Sequence, residues 1–209
     1  CVLGMGRLTF SNNYRVFFSD QNPQLRAFES LERIYTKNDS ILFVLQPAGR
    51  DVFTPAVLRI VHDLTAKAWK VPYSTRVDSV TNFQHTRAEE DDLVVEDLVP
   101  DPAALDAGGA ARVRALALAE PLLNGLLVAA DGSTTGVNVR IHPPGKSRRE
   151  IVEAVAYARA LAEDVRRAHP DLRVEVTGTT MLSNAFAEAP EEDVRFLVPL
   201  MYTLLLAMM

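Results

Sequence analysis

The sequence ends in an uncharged stretch, Phe196 to Met209 (FLVPLMYTLLLAMM), and this stretch constrains the fold more than any other feature. Its only polar side chains are Tyr202 and Thr203, so a helix formed here has no polar face. At about 14 residues the run is shorter than the roughly 20 that span a bilayer. It is therefore either a buried core helix or the first turns of a membrane span. Because an apolar helix at the end of a soluble domain leaves apolar surface uncovered, we favour the start of a truncated transmembrane helix over residues 196–209.

The composition excludes several classes of protein. A net charge of -5 argues against a nucleic-acid binder, which would carry a basic surface. A hydrophobic fraction of 48% suits one good-sized domain or two small ones. Cys1 is the only cysteine, which excludes an internal disulfide and a cysteine zinc site. Cys1 is either the acylated first residue of a processed lipoprotein or simply the point where the numbering begins, and we favour the second interpretation.

One order of elements occurs twice in the chain. A strand pattern is followed by a turn rich in Pro and Gly, a capped helix, a Pro that ends the helix, and a second strand. The first copy is centred on Gly49, with Thr54-Pro55 opening its helix, and the second on Gly145, with a capping box at Ser147–Glu150. The sequence therefore predicts an α+β fold of two split βαβ units, at about 40–82 and 125–178, that share a ferredoxin-like core.

The segments around these units have simpler patterns. Residues 87–107 form an acidic connector, with Leu93–Val99 as an edge strand, and such runs of charge are usually solvated faces rather than metal sites. Ala110–Leu123 is predicted to be helical. Leu126–Ala130 and the following strand, joined at Asp131-Gly132, carry the signature of a hairpin.

The first third of the chain also predicts a helix. It begins at Asn22-Pro23, where Asn can cap and Pro suits the first helical position. Its apolar stripe consists of Leu25, Phe28, Leu31 and Tyr35, which follow one another at helical spacing.

Residues that carry catalytic or metal chemistry form no recognisable site in the sequence. The four histidines, at positions 62, 85, 142 and 169, lack the close spacing of metal ligands, and structural roles are favoured for them. There is no Gly-x-Ser-x-Gly elbow, and the single cysteine is terminal. We expect no enzyme activity, no catalytic residue, no metal and no cofactor.

Several stretches are similar to one family of membrane transporters. They are Ser11–Tyr35, the Asp78–Asn82 element (with Val80 in place of Leu), the segment from Gly125 through Gly132, and Gly178 and Asp193 leading into Pro199. Together they resemble the resistance-nodulation-division (RND) superfamily, in the branch of the MMPL and hopanoid-exporter-like proteins. The resemblance covers nearly the whole chain.

The resemblance implies that residues 11–195 are a periplasmic porter domain, the first large loop of an exporter in the bacterial inner membrane. Residues 1–10 would then end the first transmembrane segment, and residues 196–209 would begin the second. In such transporters, proton movement through later spans drives the porter domains. The implied partners are a hydrophobic or lipid-like substrate, the membrane, and the remaining half of the transporter with its second periplasmic loop. The resemblance allows a homo-oligomer, and the sequence does not decide the oligomeric state.

Four apolar residues are candidates for the substrate path: Phe83, Met181, Leu182 and Phe186. The last three follow the closing strand, in a stretch expected near the bilayer surface, and Phe83 follows the second predicted strand. The competing interpretation is that they seal the domain against its neighbours. Two rival functions also remain, a membrane-anchored ligand-binding or assembly module without transport activity and a soluble α/β enzyme with a buried C-terminal helix.

Overall fold

The computed structural model describes residues 18–19, 21–34, 39–89, 92–144, 147 and 149–208. Within these ranges the elements are α1 Pro23–Ile34, β1 Ser40–Pro47, α2 Pro55–Ala68, β2 Ser74–Ser79, β3 Gln84–Glu89, β4 Asp92–Asp97, α3 Ala107–Ala119, β5 Thr135–Ile141, α4 Arg149–Ala168, β6 Leu172–Thr177 and α5 Thr179–Met208. The predicted end of a first membrane segment at residues 1–10 lies outside the described residues, as do Tyr35 and Gly145.

The chain divides into two compact units. The sheet unit comprises Asn38–Thr179, and the helical unit comprises the residues before 38 together with those from Thr180 onwards.

The main sheet of the sheet unit has the strand order β2-β5-β1-β6, and all of its ladders are antiparallel. β5 lies between β1 and β2, and β1 lies between β5 and β6. Each predicted βαβ unit therefore has a strand of the other unit inserted between its own two strands. The predicted mixed α+β fold is confirmed, and the two units share one sheet.

The core lies on one face of this sheet. Ile41, Phe43 and Leu45 of β1 are fully buried there, in the alternating pattern of a strand with one face covered. α2 and α4 contact the strands and supply further buried residues, namely Val57, Leu58, Val61 and Leu64 from α2 and Ala154, Val155, Ala158 and Ala162 from α4. Full burial of each large apolar side chain stabilises the fold by about 1.5–3 kcal/mol.

The predicted start signals of three helices are present as hydrogen bonds. Thr54 Oγ1 accepts from Val57 N at 3.3 Å before α2. Glu150 Oε1 accepts from Ser147 N at 3.1 Å, which is half of the predicted capping box. Asn22 Oδ1 accepts from the backbone amides that open α1. These side chains satisfy amides that have no partner inside the helix.

Two predictions between the βαβ units need correction. The predicted edge strand corresponds to β4, which pairs with β3 in a separate two-stranded sheet and does not join the main sheet. The predicted helix Ala110–Leu123 is α3, which begins three residues earlier because Asp106 Oδ1 accepts from Gly109 N at 2.6 Å and caps it there.

The predicted hairpin strand Leu126–Ala130 is only partly confirmed. Ala129 N donates to the Thr134 carbonyl at 2.9 Å and Gly136 N to the Leu127 carbonyl at 2.7 Å, so a short pairing does close around Asp131-Gly132. The carbonyl of Leu123 accepts from the amides of Leu126, Leu127 and Val128, so the first residues of the predicted strand form a turn. Only isolated bridges form here, and one of them joins Val128 to Thr135 at the start of β5.

The apolar stripe predicted for the first helix is only partly buried. Leu25 is buried, whereas Phe28 and Leu31 are exposed on the surface of α1.

The apolar C-terminal run lies in α5, a helix of 30 residues. Its described side chains are exposed: Leu204 by 57%, Leu205 by 53% and Leu206 by 74%. The alternative of a buried core helix is therefore wrong. In the described part of the chain, no helix combines the length and apolar character needed to cross a membrane.

Candidate functional site

One face of the main sheet is buried, and the other is only partly covered. Ile41, Phe43 and Leu45 point into the core, whereas Leu42 and Val44 between them are only half-buried on the opposite face, which we call the open face. Cross-strand pairing carries this alternation into the neighbouring strands, because directly opposite residues share a face. The open face is the side of the sheet on which a ligand can reach the strands.

A cleft of about 880 Å³ lies on the open face. Its apolar lining consists of Leu42, Trp69, Val77, Phe83, Leu122, Leu126 and Leu127, and its polar lining of Arg76, Asp78, Ser79, Asn82, Gln84, Asn138 and Arg140. This volume is within the range of sites that enclose small organic molecules, and apolar walls with a few polar groups are typical of such sites. The cleft is therefore our candidate functional site.

A smaller cleft of about 420 Å³, lined by residues of β4, α3 and the segment between them, is a weaker candidate. Two of its carboxylates already have local roles. Asp101 accepts from the amides of Ala103 and Ala104, and Asp106 caps α3. Across the described ranges, no three His, Cys, Asp or Glu side chains are arranged to hold a metal ion.

The charged lining of the larger cleft consists of two arginines and one aspartate. Arg76 of β2 and Arg140 of β5 are directly opposite each other in the sheet. Asp78 bridges them, with Oδ1 2.6 Å from Arg76 Nε and Oδ2 3.7 Å from Arg140 Nε. Like charges placed opposite one another destabilise a sheet, and the shared carboxylate offsets this repulsion.

A buried polar network closes the turn after β2. Asn82 Oδ1 accepts from Ser79 N at 2.8 Å, and Asn82 Nδ2 donates to the Val77 carbonyl at 2.7 Å. Ser79 Oγ also lies 2.9 Å from the hydroxyls of both Thr65 and Thr81. Ser79, Thr81 and Asn82 belong to the Asp78–Asn82 element that carried part of the family resemblance, and the structure gives the element a structural role.

Phe83 follows this network directly in the chain and lines the cleft. The Phe83 carbonyl accepts from Leu98 N at 2.8 Å, and that of Thr81 accepts from Val99 N at 3.0 Å. Both bonds continue the β3–β4 pairing beyond Gln84 and Asp97, at the end of the hairpin that follows β2, and Phe83 lines the cleft beside Asn82.

A turn between α3 and β5 also lines the cleft and presents leucines to solvent. Leu122 and Leu126 are 64% and 69% exposed. Asn124 Nδ2 donates to the Leu118 carbonyl at 2.8 Å and fixes the turn against the end of α3. Gly125 has a φ of 79°, a conformation that favours glycine. Exposed leucines on a fixed turn form an apolar surface without the flexibility of an ordinary loop.

The four predicted site residues fall in different units. Phe83 belongs to the sheet unit, and the other three belong to the helical unit on α5. Leu182 and Phe186 are exposed and lie one helical turn apart, so they share a face, while Met181 is half-buried. On the other side of the helix, Thr180 and Asn184 are only 1% exposed.

Trp69, Arg76 and Arg140 were missed by the sequence analysis. The alternation in β2 and β5 indicated polar residues on one face of each strand. The pairing of Arg76 with Arg140 depends on the sheet order and register, which the alternation does not reveal.

Two titrating groups outside the cleft have shifted pKa values. Hydrogen bonds from Ser133 lower the pKa of Asp131, and its carboxylate accepts from Ser133 N at 2.9 Å. Desolvation, followed by the charge of Glu153, raises the pKa of Tyr73, whose hydroxyl donates to Glu153 Oε2 at 3.2 Å.

Comparison with known proteins gives one family. The model of the MMPL family matches residues 18–209, which is nearly the entire chain. No curated protein matches the sequence.

Proposed function

The chain belongs to the MMPL family, and on this premise we propose that it is the porter domain of a proton-driven RND-type exporter of hydrophobic or lipid-like molecules. The proposed location is the periplasmic side of the bacterial inner membrane, with the domain as residues 11–195. Residues 1–10 and 196–209 would be the adjoining ends of two membrane helices. The proposed partners are the second periplasmic loop of the same transporter and, in a homo-oligomer, further copies.

The interleaving of the two βαβ units supports this proposal. The order β2-β5-β1-β6 is the one expected when two split units form a ferredoxin-like domain. Such an arrangement covers one sheet face with both helices and leaves the other free for a ligand or a neighbouring domain.

The open-face cleft is the observation that carries the proposal. It has enough room for a small organic molecule, and its walls include the exposed side chains of Trp69, Leu122 and Leu126. A group of exposed apolar side chains that line one cleft, unlike single scattered ones, is typical of a site of interaction. A transporter for apolar molecules needs such a surface, and the exposure of these side chains leaves them accessible to a substrate.

Energy coupling would reside in other parts of the transporter. A proton relay needs ionisable side chains within the membrane. The run Phe196–Met209 contains none. The chain would therefore contribute substrate handling rather than proton transfer.

Export of a lipophilic dye from living cells tests the proposal. Bacteria that make the intact protein are loaded with Nile red, and the loss of cell fluorescence is followed with and without a protonophore. We expect faster loss than in cells without the protein, and the protonophore should abolish the difference. Binding of the dye to the purified chain without any export would instead support a ligand-binding module. Export that persists with the protonophore would contradict proton coupling.

A further inference from the structure

We infer that the open-face cleft takes an amphiphile with an anionic head group, which Arg76 and Arg140 bind while the apolar wall holds its chain. This inference rests on the proposed function and specifies its substrate class.

The charge of the cleft differs in sign from that of the chain. Of the residues lining it, the charged ones are Arg76, Arg140 and Asp78, and two arginines against one aspartate leave one net positive charge. The whole chain carries -5. A positive site in an acidic protein favours an anion at that point over other parts of the surface.

The geometry leaves the arginines able to bind a ligand. Both meet Asp78 through Nε, and the longer contact, 3.7 Å to Arg140, is a weak one. Each guanidinium therefore retains its paired Nη donors, which suit the two oxygens of a phosphate or carboxylate. The side chains of Arg76 and Arg140 are 64% and 52% exposed, so the donors are accessible.

The apolar wall selects an amphiphile over a free anion. Trp69, Leu122 and Leu126 are all at least half exposed and line the same cleft as the arginines. An alkyl chain against them would be removed from water, and each buried methylene adds to affinity. Inorganic phosphate would gain only the contacts with the arginines.

Trp69 makes the test direct, because it is the only tryptophan in the chain and lines the cleft. The full chain in phosphatidylcholine vesicles is titrated with dodecyl phosphate, dodecyl maltoside, dodecyltrimethylammonium or inorganic phosphate, and Trp69 fluorescence is recorded. We expect dodecyl phosphate to bind at least about tenfold more tightly than the neutral and cationic amphiphiles, because charge-assisted hydrogen bonds are the strong ones. Salt should reduce this preference.

Matched variants assign the preference to the arginines. Arg76→Gln and Arg140→Gln should each weaken the binding of dodecyl phosphate about tenfold. The affinity for dodecyl maltoside should not change. Arg173→Gln is the control, since Arg173 is an exposed arginine of β6 outside the cleft and pairs with Glu175 at 3.1 Å. Circular dichroism of each variant checks that it is folded.

The outcomes separate this inference from the proposed function. Equal affinity for all three amphiphiles, or an equal loss of dodecyl phosphate affinity in the Arg173→Gln control, overturns the inference of an anionic head group. In either case, dye export would still support the transporter. If inorganic phosphate binds as tightly as dodecyl phosphate, the inference that the apolar wall holds an alkyl chain is overturned. Selective loss in the two cleft variants supports the inference.

Discussion

The Asn82 side chain accepts two hydrogen bonds from Ser79, one from its amide at 2.8 Å and one from its hydroxyl at 3.0 Å. The same side chain donates to the Val77 carbonyl, so one amide group closes the turn between β2 and the β3–β4 hairpin. The position of Phe83 in the cleft wall therefore depends on the hydrogen bonds of Asn82, a polar side chain.

Replacing Asn82 should destabilise the sheet unit. In Asn82→Ala, the Ser79 amide and the Val77 carbonyl lose their partner in a part-buried turn, and we expect the free energy of unfolding to fall by roughly 1–3 kcal/mol. Urea denaturation followed by circular dichroism measures this change. Gln84→Ala is the control, because Gln84 is exposed at the start of β3. Equal losses in the two variants would show that the network does not stabilise the turn.

Gly178 should tolerate no side chain. Its φ is 117°, and a Cβ at this position would overlap the Ser40 carbonyl of β1. Gly178→Ala should therefore cost more than the roughly 1–3 kcal/mol of the strained backbone conformation alone. Gly49→Ala is the matched control, since nothing lies within 4 Å of its Cβ position. Thermal unfolding compares the two, and a similar midpoint for both variants would contradict the prediction.

Asp131 should make the stability of the protein depend on acid pH. Its pKa is lowered in the folded state by hydrogen bonds from Ser133. The stabilising contribution is therefore fully present above the unfolded pKa of about 3.9 and is lost as the pH falls through the lower folded pKa. Unfolding free energies measured across this range should fall less steeply in Asp131→Asn than in the original chain. Coinciding slopes would mean that Asp131 has no such role.

The sequence predicts features that depend on residues close together in the chain better than features that depend on distant ones. Thr54 and Glu150 mark helix starts through contacts within a few residues, and these were predicted correctly. β3 was missed because its sequence, QHTRAE, lacks the alternation of a half-buried strand. The first residues of the predicted strand Leu126–Ala130 form a turn instead, because the amides of Leu126, Leu127 and Val128 all donate to the Leu123 carbonyl, which no short motif reveals.

The cleft depends on longer-range relationships. Leu42, Asn138 and Asp78 come from three strands, and only the ladder register brings them to one face. Phe83 was identified from its position after a strand, and the structure places it in the cleft wall. Its part in a substrate path stays a prediction, as do those of Met181, Leu182 and Phe186.

Phe186 offers a test of that path. Phe186→Ser should reduce export of an apolar substrate by about tenfold, since the contact of one large apolar side chain is worth about 1.5–3 kcal/mol. Stability should hardly change, because the side chain is already 69% exposed. Val152→Ser on α4 is a control with a similarly exposed apolar residue. The dye-export assay, at matched expression levels, decides the matter: unchanged export in Phe186→Ser would remove this residue from the path.

The end of α5 should bind lipid if the proposed membrane location is right. Leu205 and Leu206 expose apolar surface that water solvates poorly, and burial in a bilayer would stabilise it. Leu205→Glu combined with Leu206→Glu should abolish flotation of the chain with phosphatidylcholine vesicles, because carboxylates are costly in hydrocarbon. Leu93→Glu with Val95→Glu adds the same charge on the exposed side of β4 and should leave flotation intact. If the two double variants float equally well, α5 does not anchor the chain. If the β4 variant alone is lost from the vesicles, the hairpin rather than α5 is the part that meets the lipid.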